Sequence, residues 1–159
     1  MTNYGFHAAM REAGIEVATT NVGDRYVLEA LRERGWTLGG EQSGHIIDMG
    51  FVPSGDGIAA ALLAMEALGD GDLHHRHAME KLPQTLVNVR VRDRAALDTA
   101  PDVHAAVERE AAALEGRGRV LLRPSGTEPL VRVMVEAPTA EEADEVCDRL
   151  AALVRDELA

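Results

Sequence analysis

Cysteine, lysine and aromatic residues are scarce in this chain of 159 residues, and each scarcity carries a consequence. Cys147 is the single cysteine, so the sequence offers no disulfide framework and no thiolate metal cluster. Its place on the apolar face of the last predicted helix indicates an inert core residue. Aromatic residues make up 3% of the chain against 46% hydrophobic residues, which predicts an aliphatic core. Lys81 is the only lysine, and every other basic residue is arginine.

Long apolar segments are also lacking. The best apolar stretch, residues 58–68, is far too short to cross a bilayer core of about 30 Å. Residues 1–14 are polar and helical in pattern, so we expect no signal peptide. The sequence therefore predicts a cytoplasmic protein.

Basic residues are outnumbered, with 16 Lys and Arg against 27 Asp and Glu and a formal net charge of −11. Sequence-independent binding of nucleic acid needs a basic surface that displaces counterions from phosphates, and anionic membranes need the same. We therefore expect neither nucleic acid nor membrane as a partner. A small anionic ligand requires a local basic pocket against this acidic background.

The hydrophobic pattern predicts two domains joined by a linker at residues 69–72. Residues 1–70 alternate strands with helices, which predicts an α/β domain with a mixed sheet and flanking helices. Residues 71–159 predict an α+β domain with helices on an antiparallel sheet. The predicted helices are 6–13, 24–35, 58–68, a short one ending at 82, 101–116, and one that begins after the N-cap Thr139. The predicted strands are 15–20, 37–40, 45–49, 86–92, 119–123 and 130–136.

The loop at residues 123–129 has the composition of a phosphate-binding loop. Arg123 offers a bidentate guanidinium, and Ser125 and Thr127 offer hydroxyls. Gly126 lets main-chain N–H groups approach an anion closely, while the flanking prolines restrict the loop before a ligand arrives. Glu128 suits this role only if its carboxylate points away from the anion. The alternative is an ordinary hairpin connection, because Ser-Gly-Thr between prolines is common turn chemistry.

A second polar loop lies between the predicted strands that flank residues 41–45. Glu41 can accept hydrogen bonds from two neighbouring sugar hydroxyls, with Ser43 or His45 beside it. The alternative is a polar turn without a ligand. We expect no nucleophile–base pair of Ser43 with His45, because no strand–elbow of the Gly-x-Ser-x-Gly kind surrounds them.

Other stretches resemble functional sites only superficially. His74, His75 and His77 could suggest a metal site, but no carboxylate completes it and a solvated surface explains it. Residues 70–72 lack the remaining ligands of a calcium loop. Asp56, in the Gly-Asp-Gly stretch before a helix, is interpreted as a helix cap rather than part of a nucleotide loop. The sequence therefore predicts no metal ligands.

Three motifs follow one another along the chain: Gly-Glu-Gln-Ser-Gly-His at 40–45, Ser-Gly-Asp-Gly at 54–57, and Arg-Pro-Ser-Gly-Thr-Glu-Pro-Leu-Val-Arg-Val at 123–133. In order and approximate spacing they resemble the α-D-phosphohexomutase superfamily. Val-Gly-Asp-Arg-Tyr-Val at 22–27 and Lys-Leu-Pro-Gln at 81–84 extend the resemblance toward its bacterial phosphoglucosamine mutase branch. The resemblance covers nearly the whole chain. Ser54 departs from it mildly, since the family more often has threonine there.

The resemblance implies a four-domain enzyme that moves a phosphoryl group between the 6- and 1-positions of a hexose. A phosphoserine in the first domain and Mg²⁺ in the second would carry the transfer, here between glucosamine 6-phosphate and glucosamine 1-phosphate for cell-wall precursors. The residues implied to bind the sugar are Asp24, Glu41, Ser43 and His45. Those implied to hold the non-transferred phosphate are Arg123, Ser125, Gly126 and Thr127.

The chain lacks the catalytic serine loop and the aspartate triplet for magnesium that the resemblance requires. We therefore expect part of the third domain followed by the fourth, with no catalytic residue, no bound metal, and no activity without the N-terminal domains. A phosphoglucomutase or phosphomannomutase fragment is the alternative in the enzyme class, and a stand-alone phosphosugar-binding module is the alternative in the binding class. Because the strand opening the third domain is absent, we also expect self-association through an exposed sheet edge.

Overall fold

The computed structural model describes residues 1–75 and 77–159. They form two compact units, one of Met1–Thr2 with Ala13–Ala78 and the other of Asn3–Glu12 with Met79–Ala159. The helices are α1 (Tyr4–Glu12), α2 (Asp24–Arg34), α3 (Gly57–Leu68), α4 (Pro101–Ala113) and α5 (Ala140–Leu158). The strands are β1 (Leu38–Gly40), β2 (Ile46–Asp48), β3 (Gln84–Arg90), β4 (Arg119–Pro124) and β5 (Leu130–Glu136). Short 3₁₀ helices lie at Leu73–His75 and Arg94–Thr99.

The first unit contains α2, the antiparallel pair β1–β2, and α3. Leu31 from α2 and Ile47 from β2 are buried at 4% and 1% exposure, so they anchor the helix and the hairpin. Helix α2 ends at Gly35, which adopts the left-handed conformation that glycine tolerates best. Two helices around a small sheet agree with the α/β class predicted for this part of the chain. The sheet is an antiparallel pair and not the predicted mixed sheet, because the short turn at residues 41–45 joins antiparallel strands.

Two predicted elements of this region are wrong. Residues 15–20 form no strand, and Ile15 is 53% exposed, because no strand within residues 1–75 and 77–159 supplies hydrogen bonds to that segment. The helix predicted to end at Leu82 does not form within residues 77–82, where the chain is irregular, and Leu73–His75 form a 3₁₀ turn instead. The side chain of Asn3 hydrogen-bonds both the N–H and the carbonyl of Leu82, so the N–H that a helix would have bonded internally donates to Asn3 instead.

Asp56 caps α3 as expected, since its carboxylate accepts hydrogen bonds from the N–H groups of Ile58 and Ala59, both at 2.8 Å. Replacing Asp56 with alanine should destabilise the start of α3 by about 1 kcal/mol. Hydrogen exchange at the amides of residues 58–59 measures this. Asp70→Ala is the control, because that carboxylate is exposed and bonds no other residue of the described chain. Equal exchange in both variants would contradict the cap.

The second unit is a three-stranded antiparallel sheet in the order β3–β5–β4, with α4 and α5 packed on one face. Alternate residues of the central strand β5, Val131, Val133 and Val135, are completely buried against the helices. Thr139 caps α5 by accepting the N–H of Glu142, as predicted, while the Glu142 carboxylate pairs with Arg117. The predicted α+β arrangement is therefore confirmed.

The opposite face of this sheet carries a buried carboxylate. Glu136 is 0% exposed and pairs with Arg119, with Nε to Oε2 at 2.8 Å. The same Oε2 accepts the backbone N–H of Tyr4 at 2.8 Å, which brings the start of α1 onto this face. The next residue, Gly5, must be a glycine for α1 to pack here, because a Cβ at this position would lie 1.9 Å from the carbonyl oxygen of Glu80. Helix α1, assigned by the sequence to the first domain, thus groups with the second unit.

The structure buries Cys147 completely on α5, and desolvation raises the pKa of its thiol to about 11. A raised thiol pKa favours the unreactive neutral form, so at pH 8 only about one thiol in a thousand is ionised. We expect Cys147 to resist a thiol reagent at pH 8 until the unit unfolds, and to react increasingly as pH rises toward 11. Glu145→Cys in a Cys147→Ala background is the control, since residue 145 is exposed on the same helix. Equal rates for the two thiols would contradict the burial.

Candidate functional site

Each unit carries one of the two loops singled out by the sequence. In the first unit, residues 41–45 form the tight turn between β1 and β2, closed by bonds between Glu41 and His45 and between Gly44 and Glu41. The turn brings three of the predicted side chains together. Ser43 Oγ lies 2.7 Å from His45 Nδ1, which in turn lies 3.8 Å from Glu41 Oε2. The result is a carboxylate, a hydroxyl and an imidazole on one short turn.

Glu41 is also fixed from a second direction. Its Oε1 accepts the backbone N–H of Gly23 at 2.9 Å, which places the start of α2 beside the turn. Asp24 follows Gly23 and its carboxylate accepts the N–H of Arg25 at 2.8 Å. The structure thus places Asp24 on the segment held to Glu41. With one oxygen of Glu41 held by the backbone, the other remains beside Ser43, where a polyhydroxylated ligand could donate to it.

Gly55 lies against the ring of His45. A Cβ at residue 55 would approach Cδ2 of that ring to 2.9 Å, so any larger residue would displace the imidazole. The Ser-Gly-Asp-Gly motif therefore has two local roles: Gly55 leaves room for the His45 ring, and Asp56 caps α3. The imidazole itself is 47% exposed and remains accessible to a ligand.

In the second unit, the loop between β4 and β5 folds around a buried hydroxyl. Ser125 is 3% exposed, its N–H donates to the carbonyl of Leu130, and its Oγ accepts the N–H of Glu128 at 3.3 Å. Gly126 and Thr127 are exposed. Their N–H groups have no hydrogen-bond partner within residues 1–75 and 77–159. The loop therefore presents two adjacent donors, as an anion site requires.

Arg123 lies on β4 directly opposite Arg132 of β5, and Arg132 lies opposite Asn88 of β3. The three side chains share one face of the sheet, because cross-strand partners point the same way. Neither guanidinium forms a salt bridge with a described residue. In a chain of net charge −11, this pair of arginines is a local positive region at the base of the loop. Charge-assisted donors of this kind suit an anionic ligand.

A third arginine contacts the loop and was not predicted from the sequence. Arg94 Nη1 donates to the carbonyl oxygens of Ser125 and Gly126 at 2.8 and 2.7 Å. It also lines a cavity of about 290 Å³, whose walls are Arg92, Asp93, Arg94, Thr127, Glu128 and Pro129. Arg123 does not line this cavity, whereas Glu128 does. No motif marks Arg94, since only the fold brings it to residues 31 positions away.

His74, His75 and His77, which resemble a metal site in the sequence, lie in or next to the 3₁₀ turn Leu73–His75 of the first unit. His75 Nδ1 is 3.3 Å from the carboxylate of Asp72, and both side chains are mostly exposed. Within the part of the chain that the structure describes, no group of three or more His, Cys, Asp or Glu side chains could hold a metal ion. None of its helices is long and apolar enough to span a membrane.

The fold and the two loops define the class of the protein, and comparison with known families agrees. The model of the phosphoglucomutase/phosphomannomutase alpha/beta/alpha domain III matches residues 1–86, and that of the phosphoglucomutase/phosphomannomutase C-terminal domain matches residues 86–153. The chain therefore belongs to the phosphoglucomutase/phosphomannomutase family. The resemblance stated from the three motifs is confirmed.

Its relatives include bacterial enzymes named phosphoglucosamine mutase. The chain is 56% identical over 158 residues to the one from Parafrankia sp., covering 98% of this chain and 34% of the relative. It is 54% identical over 161 residues to that of Bifidobacterium adolescentis, covering 99% and 35%. The chain thus spans about a third of the length of the curated relatives that it matches.

Solved structures show the same fold at low sequence identity. The N-acetylphosphoglucosamine mutase of Aspergillus fumigatus has a TM-score of 0.83 at 23% identity, covering 98% of this chain and 37% of that one. A second structure of that protein, in complex with GlcNAc-6P and magnesium, has a TM-score of 0.74 at 22% identity and covers 99% and 38%. The fold class predicted from the sequence is therefore confirmed.

Proposed function

We propose that the chain is the substrate-binding C-terminal portion of a phosphoglucosamine mutase. The observation that carries the proposal is the loop of the second unit: the N–H groups of Gly126 and Thr127 have no partner among the described residues, and Arg123, at the end of the preceding strand, makes no salt bridge with a described residue. Exposed main-chain donors and an unpaired guanidinium are the groups that hold a phosphate. Arg123, Ser125, Gly126 and Thr127 are the proposed phosphate-binding residues, with Ser125 acting mainly by shaping the loop.

The turn of the first unit is the proposed sugar-binding site. Glu41 is the acceptor for sugar hydroxyls, and Ser43 and His45 can donate or accept beside it. Asp24 is placed on the segment held to Glu41. The relatives named phosphoglucosamine mutase favour glucosamine phosphate as the sugar. Phosphoglucomutase or phosphomannomutase activity is the alternative within the family.

The proposed reaction of the full-length enzyme interconverts glucosamine 6-phosphate and glucosamine 1-phosphate through a phosphoserine outside this chain. Binding of the non-transferred phosphate and of the sugar would hold the reacting oxygen in line with the phosphoserine, because phosphoryl transfer depends mainly on positioning. Magnesium is proposed for the full-length enzyme. The described residues of this chain do not fit a magnesium site, so none of their proposed roles runs through the metal.

Calorimetric titration of the chain with glucosamine 6-phosphate tests the binding proposal. We expect weak binding, because the chain spans about a third of its relatives' length and the remainder of the protein is proposed to complete the site. Micromolar affinity would instead favour a stand-alone phosphosugar-binding module. The chain alone should also show no mutase turnover, and measurable turnover without added protein would contradict its role as a binding portion.

The sugar specificity is tested in a chimera in which this chain replaces the matching segment of the Parafrankia phosphoglucosamine mutase. We expect the chimera to prefer glucosamine 1-phosphate over glucose 1-phosphate as judged by kcat/KM. The unaltered Parafrankia enzyme is the control. A strong preference for glucose 1-phosphate in the chimera alone would overturn the glucosamine assignment.

Two further expectations are part of the proposal. The protein is proposed to act in the cytoplasm on precursors of the cell wall. The first unit is proposed to self-associate, because its sheet consists of two strands and each therefore has an unpaired edge. Light scattering at rising concentration tests this, and a monomer at high concentration with protected β1 and β2 amides would contradict it.

A further inference from the structure

Arg94 contacts the proposed phosphate loop without belonging to any motif. We propose that Arg94 is a positioning residue, which orients two peptide groups of the loop so that their N–H groups face an anion. The inference rests on the proposed function of residues 123–127 and assigns Arg94 no direct contact with the ligand. It follows from the hydrogen bonds of Arg94 together with the planarity of the peptide group.

Arg94 binds the carbonyl groups of two consecutive residues of the loop. Arg94 Nη1 lies 2.8 Å from the oxygen of Ser125 and 2.7 Å from that of Gly126, so a single nitrogen holds both. A trans peptide group is planar, and its C=O and N–H bonds point in opposite directions. The carbonyl of Ser125 shares a peptide group with the N–H of Gly126, and the carbonyl of Gly126 shares one with the N–H of Thr127. Both N–H groups therefore point away from Arg94, on the same side of the loop.

The other N–H groups of the loop are already used. Ser125 donates to Leu130, Glu128 donates to the Ser125 hydroxyl, and the prolines at 124 and 129 have none. The two N–H groups oriented by Arg94 are thus the ones that remain for a ligand. Arg94 also keeps two carbonyl oxygens, which would repel an anion, bound on the opposite side. Without it, rotation of these peptide groups would present an oxygen where a donor is needed.

Arg94 is itself held in place. It begins the 3₁₀ helix Arg94–Thr99, whose first turn is capped by Asp93 through the N–H of Ala95 at 2.9 Å. Leu97 of the same helix is 4% exposed and belongs to the core of the second unit. No described carboxylate forms a salt bridge with Arg94 and competes for its donors. Because Arg94 is fixed by a helix that packs in the core, its hydrogen bonds order the loop before a ligand binds. This reduces the entropic cost of binding.

Nuclear magnetic resonance of the ¹⁵N-labelled chain, titrated with inorganic phosphate, tests the inference. We expect Arg94→Met to weaken phosphate binding about tenfold, as read from the amide shifts of Gly126 and Thr127, since two charge-assisted bonds are lost. The backbone order parameters of both residues should fall in the ligand-free variant. Arg94→Lys should restore part of both. Arg92→Met is the matched control, because Arg92 lines the same cavity with the same charge but its side chain does not hydrogen-bond residues 123–129.

The outcomes separate the two proposals. If phosphate shifts neither amide of the unaltered chain, the proposed phosphate site has failed and the role of Arg94 fails with it. If the unaltered chain binds and Arg94→Met behaves like Arg92→Met, only the positioning role is overturned. Larger phosphate-induced shifts at the Arg94 side chain than at the two amides would make Arg94 a direct ligand, which also overturns it. Reduced affinity together with a loosened loop, at unchanged thermal stability, would support the inference.

Discussion

Arg123→Ala in the chimeric enzyme is expected to lower kcat/KM for glucosamine 1-phosphate by about 100-fold. The substitution removes a charge-assisted contact to phosphate, and such bonds contribute roughly 1.5–3 kcal/mol each. No other described side chain neutralises Arg123, so its charge is available to the ligand. Steady-state kinetics with both sugar phosphates measures the loss.

The conservative variant and a distant control make this prediction specific. Arg123→Lys should recover only part of the activity, because lysine keeps the charge but loses the bidentate fork. Arg109→Ala removes an equal charge from the exposed surface of α4 and should change kcat/KM by less than about twofold. Normal turnover by the Arg123→Ala chimera would refute the phosphate assignment.

Glu136→Ala is expected to have the largest effect on stability, about 3–5 kcal/mol for the second unit. Glu136 is fully buried and bonds both Arg119 and the N–H of Tyr4. Its removal takes a charged partner away from the largely buried guanidinium of Arg119 and an acceptor from the Tyr4 N–H, and breaking one partner of a buried pair costs far more than the pair contributes. Hydrogen exchange at the amides of β5 reports the free energy of opening.

An exposed ion pair of the same unit provides the comparison. Glu142→Ala removes the partner of Arg117, a pair whose side chains are 31% and 48% exposed. Exposed pairs contribute about 0–1 kcal/mol, so this variant should differ little from the unaltered chain. A Glu136→Ala variant as stable as Glu142→Ala would show that the buried carboxylate is not a stabilising contact.

The elements with strong local patterns were predictable from the sequence. Strand β5 was predicted with its observed bounds, and α5 begins after Thr139, because alternation and capping depend on residues close in the chain. The two candidate loops were identified for the same reason, since their chemistry lies within a few consecutive residues. The family followed from their order. These features needed no knowledge of what each segment packs against.

Tertiary structure decided everything that depends on a distant partner. The segment 15–20 has strand-forming residues, but no strand of the described chain lies beside it, and Leu82 is held by Asn3 across 79 positions. In the sequence, Glu136 is an ordinary residue at the end of a strand, and only the fold buries it between Tyr4 and Arg119. Nothing in the sequence distinguishes Arg94 from the other arginines, and only the fold brings it to the carbonyl groups of Ser125 and Gly126. Local patterns specify which groups a segment offers, whereas the packing of remote segments decides which of those groups find a partner and which remain free for a ligand.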